Sequence, residues 1–424
     1  MISSPIRTTM PAPAPLPAAP SAPIEAGTPA FRRANLAMFL GGFTTFALLY
    51  ATQPILPRLA ADFGVAPTTA SLSVSLGTAA LALMLLPASV LSDRYGRQRL
   101  MKVSLALATV IAFATAIAAD FSQLLVLRML MGAVLAGLPA SAMAWLGEEI
   151  APSAQGRAMG LYIAGNALGG MSGRFLVAGL TDWSSWRIAA AALGVLGLVA
   201  TLVFWRCLPP SHRFRARAAL PSRVFGDIAT LLADSGLRRL FAIAFLMMGA
   251  FTSLYNYLGF RLHAAPFSLG QTAIGAVFLL YMVGTLSSAW TGRLVDRIGR
   301  RALLWIMILA CGAGLAIALV EHLAAIVAGV AVFTFGYFGA HTTASGWVGR
   351  RSGERRALAT ALYLCSYYLG ASIIGTLSGL AWEFAAWPGV TAALILCAAL
   401  ALLCAWQLRT LQPVAQPPAF TPAA

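Results

Sequence analysis

Two stretches decide how this chain folds: Ser89-Val90-Leu91-Ser92-Asp93-Arg94-Tyr95-Gly96-Arg97-Gln98-Arg99 and Gly292-Arg293-Leu294-Val295-Asp296-Arg297-Ile298-Gly299-Arg300-Arg301. They are one pattern written twice. At an offset of 203 residues, Leu91, Asp93, Arg94, Gly96, Arg97 and Leu100 fall on Leu294, Asp296, Arg297, Gly299, Arg300 and Leu303. Each copy is a polar island between apolar runs of about 20 residues, the length a helix needs to cross hydrocarbon. In a loop this short two helix ends are forced together, and Gly96 permits the tight turn.

The duplication extends outward from these loops. At offset 202, Gly137, Ala142, Trp145 and Gly147 meet Gly339, Ala344, Trp347 and Gly349. At offset 201, Leu161, Tyr162, Leu168, Gly169 and Trp186 meet Leu362, Tyr363, Leu369, Gly370 and Trp387. Apolar runs fall near 35–55, 71–91, 101–119, 123–146, 157–180, 186–206, 240–260, 271–291, 302–320, 323–347, 357–380 and 388–407. The reading is an all-α membrane protein, with twelve transmembrane helices in two six-helix pseudo-repeats. Open sheet edges cannot survive in lipid, which leaves helices. The expected organisation is a disordered tail over 1–33, a bundle over 34–206, a linker loop over 207–239, a second bundle over 240–408 and a tail over 409–424. The first tail is rich in Pro, Ala, Ser and Thr and has no apolar core of its own.

Only 10% of residues are charged, against about 25% in soluble domains. A soluble fold this apolar would expose large sticky patches. The net charge of +16 is not a nucleic-acid signature, because the arginines sit in short loops rather than on one face. With the amino terminus inside, the inner loops hold most of them. The outer loops hold only Arg58, Arg187 and Arg261. That asymmetry places both termini in the cytoplasm of a bacterial inner-membrane protein. Cys207, Cys311, Cys365, Cys397 and Cys404 form no Cys-x-x-Cys pair and read as small apolar residues, so no metal site is expected.

The duplicated loop resembles the Gly-x-Leu-x-Asp-Arg-x-Gly-Arg motif of the major facilitator superfamily. The second copy is complete, and the first has Ser89 at the leading Gly. The stretch Tyr50-Ala51-Thr52-Gln53-Pro54-Ile55-Leu56-Pro57, with Gly169-Gly170-Met171-Ser172-Gly173-Arg174, is similar to the twelve-span, efflux-type branch and its YnfM-type inner-membrane transport proteins. Arg128-Met129-Leu130-Met131-Gly132 fits the Arg-x-x-x-Gly of proton-driven members. Gly165-Asn166-Ala167-Leu168-Gly169-Gly170 resembles the antiporter motif of helix 5 but has Asn for Pro, which leaves direction open. Its Gly165, Gly169 and Gly170 are the expected helix-packing positions.

The resemblance implies a latch for the outward-facing state. Asp93 would meet the positive amino end of helix 11 near residue 357, and Arg97 would reach Glu148 or Glu149. Arg94, Gly96, Gly292, Asp296, Arg297, Gly299 and Arg300 complete the two gating loops. The competing reading is topology alone, with arginines simply retaining the loops inside. At offset 202, Glu148 and Glu149 correspond to Arg350 and Arg351.

Arg128 and Arg174 lie within spans, each about six residues or ~9 Å from the outer end of its helix. A charge at mid-bilayer costs on the order of 2.5–3.5 kcal/mol on insertion scales. Neither helix carries an acidic residue at that depth. The two are expected to face one cavity and favour a solute with a carboxylate, phosphate or carbonyl oxygen. Snorkelling to the outer headgroups is the alternative. His341 is the titratable histidine within a span, a coupling candidate or a hydrogen-bonded structural residue. Tyr50, Gln53, Tyr255, Asn256 and Tyr257 on helices 1 and 7 either line a central site or, for the tyrosines, sit in an aromatic belt.

These readings point to a monomeric secondary transporter moving a small organic solute by alternating access, with proton-coupled efflux as the leading form. An importer or facilitator of a small metabolite or sugar is the alternative on the same fold. A channel fits the duplicated halves less well. No Gly-x-x-x-x-Gly-Lys-Ser/Thr loop or Gly-x-Ser-x-Gly occurs, so neither an ATPase nor an enzyme is expected. No cofactor is expected, with a proton gradient as energy source. A reporter fused after Arg409 should be active only as a cytoplasmic fusion; periplasmic activity would overturn the helix count.

Overall fold

The computed structural model describes residues 22–214 and 221–410. The expected tail over residues 1–21, linker residues 215–220 and the end of the chain from 411 lie outside the described residues. Helices account for nearly all the rest, because a backbone in hydrocarbon must satisfy its own polar groups.

Among the described residues ten helical stretches are long and apolar enough to cross a membrane; with the last, broken at Ala385 and Ala386, taken as two and Pro152–Trp183 added, twelve helices follow in order. The first half holds α1 (Pro29–Leu49), α2 (Pro67–Tyr95), α3 (Arg97–Ala116), α4 (Phe121–Glu149), α5 (Pro152–Trp183) and α6 (Trp186–Cys207). The second holds α7 (Ser235–His263), α8 (Gln271–Ile298), α9 (Arg300–Ile317), α10 (Leu323–Arg351), α11 (356–384) and α12 (387–407). The last two run on as one helical stretch broken at Ala385 and Ala386. α5, along which Arg157, Asn166, Arg174 and Asp182 lie, is the helix that falls outside those ten.

α1 starts and ends six residues before the expected run. Thr28 caps it, its hydroxyl accepting from Phe31 N, and Pro29 opens it. At the other end the helix stops at Leu49, and the chain resumes through a 3₁₀ turn at Gln53–Ile55 into a short helix, Leu56–Phe63. Pro54 has no N–H to continue a helix.

Arg33 donates to the Arg206 carbonyl at 2.7 Å and Arg301 to that of Arg409 at 2.8 Å. The start of α1 and the end of α6 therefore share one face, as do the start of α9 and the end of α12. This basic face also carries the loops at Gly96 and Gly299, which take φ of 99° and 80° at the junctions of α2–α3 and α8–α9.

The linker is not simply a loop. Its helix Pro221–Ala233 is tied to the second half, with Asp227 on Arg355 at 2.5 Å and Asp234 on Arg351 at 2.7 Å. Burial works against a charged Asp234. The hydrogen bonds from Arg351 and Leu237 N outweigh it and hold this carboxyl below the usual range.

The closest helix approaches run along glycines. A Cβ on Gly165 or Gly169 of α5 would overlap the backbone of Phe39 or Phe43 on α1. Gly370, the repeat partner of Gly169, meets Phe245 of α7 in the same way. Small residues permit such contact where lipid supplies no hydrophobic drive between helices. Gly170 does not belong to this seam; it lines the cavity described below. Gly169→Ala should lower thermal stability in detergent by about 1–3 kcal/mol. Gly179→Ala, on the same helix with open space around it, should not. Equal melting midpoints for the two variants would remove the glycine seam from the account.

A candidate solute cavity between the halves

The two halves enclose a cavity of about 420 Å³, within the size range of small-ligand sites. Tyr50, Gln53, Asn166 and Arg174 line it from the first half, and Phe251, Tyr281, Tyr337 and His341 from the second. It reaches toward the basic face as far as Ser345, in the last two turns of α10. No Asp or Glu lines it among the described residues.

Hydrogen bonds between the halves close the opposite face. Gln53 Nε2 donates to Asn256 Oδ1 at 2.8 Å, Thr68 to Glu383 at 2.5 Å, and Thr272 to Asp182 at 2.7 Å. Gln53 and Asn256 stand at the same 203-residue offset as the duplicated loops. The bond that shuts the cavity thus joins two residues in equivalent places of the repeat.

Arg128 and Arg174 are both buried, at 1% and 3% exposure, so neither snorkels. They part company in what they touch. α1 ends at Leu49, and the last carbonyls of a helix lack intrahelical donors. Arg128 supplies them: Nη1 donates to Leu48 O at 2.9 Å, Nη2 to Leu49 O, and Nε to Ser73 O at 3.0 Å. The expectation that it shares a cavity with Arg174 is therefore corrected. Two of its nitrogens are spent on backbone at the break in α1 and the third on the Ser73 carbonyl of α2, and it is not among the cavity's lining residues.

Arg174 faces the cavity. Its Nε donates to Gln53 Oε1 at 2.7 Å and Nη1 to Gly170 O. Its Cζ lies 4.1 Å from the Tyr50 ring centroid, 5.0 Å from Tyr281 and 5.3 Å from Phe278. Aromatic faces stabilise the cation without neutralising it. Nη2 has no protein acceptor among the described residues.

His341 also lines the cavity, its Nδ1 3.0 Å from the Tyr363 hydroxyl. Tyr337 donates to Tyr367 at 2.7 Å beside it. Tyr255 is packed away from the cavity, its hydroxyl 2.9 Å from Thr334. Asn256 belongs to the closure rather than the lining, and Tyr257 is buried with its ring centroid 5.9 Å from that of Trp382. Neither tyrosine sits in an exposed aromatic belt.

In the first gating loop Arg97 pairs with Glu148 at 2.6 Å and Asp93 at 2.9 Å. The expected meeting of Asp93 with the start of α11 is replaced here by this pair inside one half. Arg94 stacks over Tyr95, and Glu149 accepts from Arg213 N at 2.9 Å. The second loop is not equivalent: Arg300 lies near Asp296 but also near the like charge of Arg350. Gly292 has open space around it, and Arg297 is exposed.

Sequence reasoning missed Tyr281 and quoted Asn166 only as a replacement for Pro. Both residues line the cavity, and each holds a buried polar atom without a protein partner, the Tyr281 hydroxyl and Asn166 Oδ1, the latter packed against Gly42 of α1. An Asn within a Gly-rich membrane helix was the available signal. Tyr281 had none.

Two six-helix halves around a central polar and aromatic cavity, shut at one face, define a membrane transporter. The chain matches the Major Facilitator Superfamily profile over residues 38–373 and 240–424, and it belongs to that family. It is 42% identical to "Uncharacterized MFS-type transporter YybF" of Bacillus subtilis (strain 168), over 87% of this chain and 91% of that protein. It is 42% identical to "Inner membrane transport protein YnfM" of Escherichia coli (strain K12), over 90% and 91% respectively. Its fold matches the inward-facing, occupied crystal structure of a bacterial homolog to the human lysosomal transporter Spinster, with TM-score 0.75 and 16% identity over 91% of this chain and 97% of that one. The protein is thus a membrane-embedded transporter of a small molecule, not an enzyme.

The Arg128 contacts carry a direct test. Arg128→Ala leaves the buried Leu49 carbonyl without a donor, at a cost of about 1–3 kcal/mol, and takes one donor each from Leu48 O, which keeps Ala51 N, and Ser73 O, which keeps Thr52 Oγ1. Purified variant should lose most of its monodisperse fraction or melt far earlier, with Arg128→Lys in between. A wild-type melting curve for Arg128→Ala would show that water replaces the guanidinium freely.

Proposed function

We propose that the chain is a proton-coupled exporter of a small organic solute. It acts as a monomer in the bacterial cytoplasmic membrane with the basic face inside. The cavity supports this reading: a single chamber between repeat halves, tied shut at the opposite face through Gln53 and Asn256 and reaching toward the basic face. A site at a repeat interface is what alternating access uses, one half rocking against the other. The excess of arginine on that face favours its being cytoplasmic. Solute then enters the chamber from inside.

The proton carrier is His341. All thirteen acidic residues of the sequence lie in the tail, in loops or near helix ends, whereas His341 lines the chamber itself. Imidazole gains and loses a proton near neutral pH when unperturbed. With Nδ1 engaged by Tyr363, Nε2 is the atom left to exchange with the chamber. The Asp93–Arg97–Glu148 cluster acts as the latch that exchanges partners when the basic face closes. A helix-terminus contact of that kind contributes about 0.3–1 kcal/mol at an exposed site, enough to bias two states without unfolding either half.

Inverted vesicles with an acidic interior test direction and coupling together. Adding a transported solute should dissipate the gradient in wild type. His341→Gln should abolish that proton movement while still exchanging labelled for unlabelled solute. Uptake indifferent to the gradient would favour a facilitator, and undiminished proton movement in His341→Gln would remove this histidine from the mechanism. Asp93→Asn should cut turnover strongly at normal membrane insertion; unchanged turnover would count against the latch.

A further inference from the structure

The two buried arginines differ in one respect that bears on the cargo. Arg128 uses all three of its nitrogens on backbone carbonyls. Arg174 uses two and leaves Nη2 without a protein acceptor, in a chamber with no acidic lining residue among those described. A structural arginine would be expected to look like Arg128. Beside Arg174 stands the Tyr281 ring, 5.0 Å from its Cζ, on a side chain only 8% exposed whose hydroxyl has no partner. A buried hydroxyl left without a partner is costly, and a phenol can donate to a carboxylate. The free guanidinium nitrogen and the free phenol together make a two-donor seat for a negatively charged oxygen pair.

Beside polar residues such as Ser288, Thr342 and Ser345, the chamber has a flat aromatic wall. Phe251 stacks on Tyr337 with ring centroids 4.0 Å apart, and Phe338 meets Phe251 edge-on at 5.8 Å. Such walls favour a planar apolar body. One uncompensated positive charge in a poorly solvated site balances one negative charge and repels a cation.

We propose that the transported solute is a planar, largely apolar organic monoanion, its carboxylate seated on Arg174 Nη2 and the Tyr281 hydroxyl and its body against the Phe251–Tyr337 wall. This rests on the transporter reading above, but binding and flux separate the two. The seat also shares a residue with the closure, because Gln53 accepts from Arg174 and donates to Asn256. Occupation of Arg174 is therefore felt at the bond that shuts the opposite face.

Calorimetry on the purified full chain in lipid nanodiscs would compare three probes of one shape: 2-naphthoate, 2-naphthylmethanol and 2-naphthyltrimethylammonium. Naphthoate should bind at least tenfold tighter than the alcohol, and the ammonium should bind weakest. Tyr281→Phe should weaken naphthoate several-fold and leave the alcohol unchanged. Arg174→Lys, the conservative exchange should Arg174→Ala fail to fold, should retain the order of the probes with a weaker naphthoate, since an ammonium lacks the planar fork. Equal binding of ammonium and naphthoate, no naphthoate binding, or unaltered naphthoate affinity in both Arg174→Lys and Tyr281→Phe would overturn the assignment. Naphthoate bound at Arg174 without flux of any solute in proteoliposomes would sink the transport mechanism and leave the anion seat standing.

Discussion

The break in α1 is the constraint from which the cavity follows. A helix that stops inside a membrane leaves carbonyls with no donor, and lipid offers none. Arg128 meets that need from α4, reaching Leu48, Leu49 and Ser73 at once. Because the carbonyls are met from behind, Tyr50 and Gln53 are free to face the centre. Gln53 then reaches Arg174 on one side and Asn256 on the other. A cation that looks like a functional site is here the support that lets the neighbouring residues become one.

The repeat explains the frame but not the chemistry laid over it. Gly169 and Gly370 do the same job in their own halves, against Phe43 and Phe245. Gln53 and Asn256 are an equivalent pair bonded to each other. The charged groups broke the symmetry. At the repeat offsets Arg174 falls on Gly375, His341 on Pro139, and Glu148 on Arg350. The first half thus holds the cation of the chamber and the second its imidazole. Arg97 finds a carboxylate where Arg300 finds another arginine.

Much of the fold was legible because lipid forces it. Run length, loop arginines and the doubled Asp-Arg-x-Gly-Arg pattern each carry a physical demand that sequence alone expresses. The early end of α1 was written in Gln53-Pro54 but masked by continuing hydropathy. The site was legible in part. Depth matching picked out Arg128 and Arg174, yet their partners depend on where another helix stops, which periodicity does not record. Tyr281 has no sequence signature, since a tyrosine in a membrane helix is as often packing as contact. Glu148 was named as a partner for Arg97 and lies there; Asp93 pairs with the same Arg97 instead of meeting the start of α11.

The divided linker sets a limit on motion. Its first part is moored to the first half, Ser211 to Trp145 and Arg213 to Glu149. Its helix Pro221–Ala233 is moored to the second through Asp227, and Asp234, which caps α7 just after it, pairs with Arg351. Phe214 and Pro221 are seven residues apart in the chain. Seven residue steps extend to about 23–25 Å at most. The two moorings can therefore part by no more than that length, and any relative movement of the halves on this face must stay inside it or slip a mooring first.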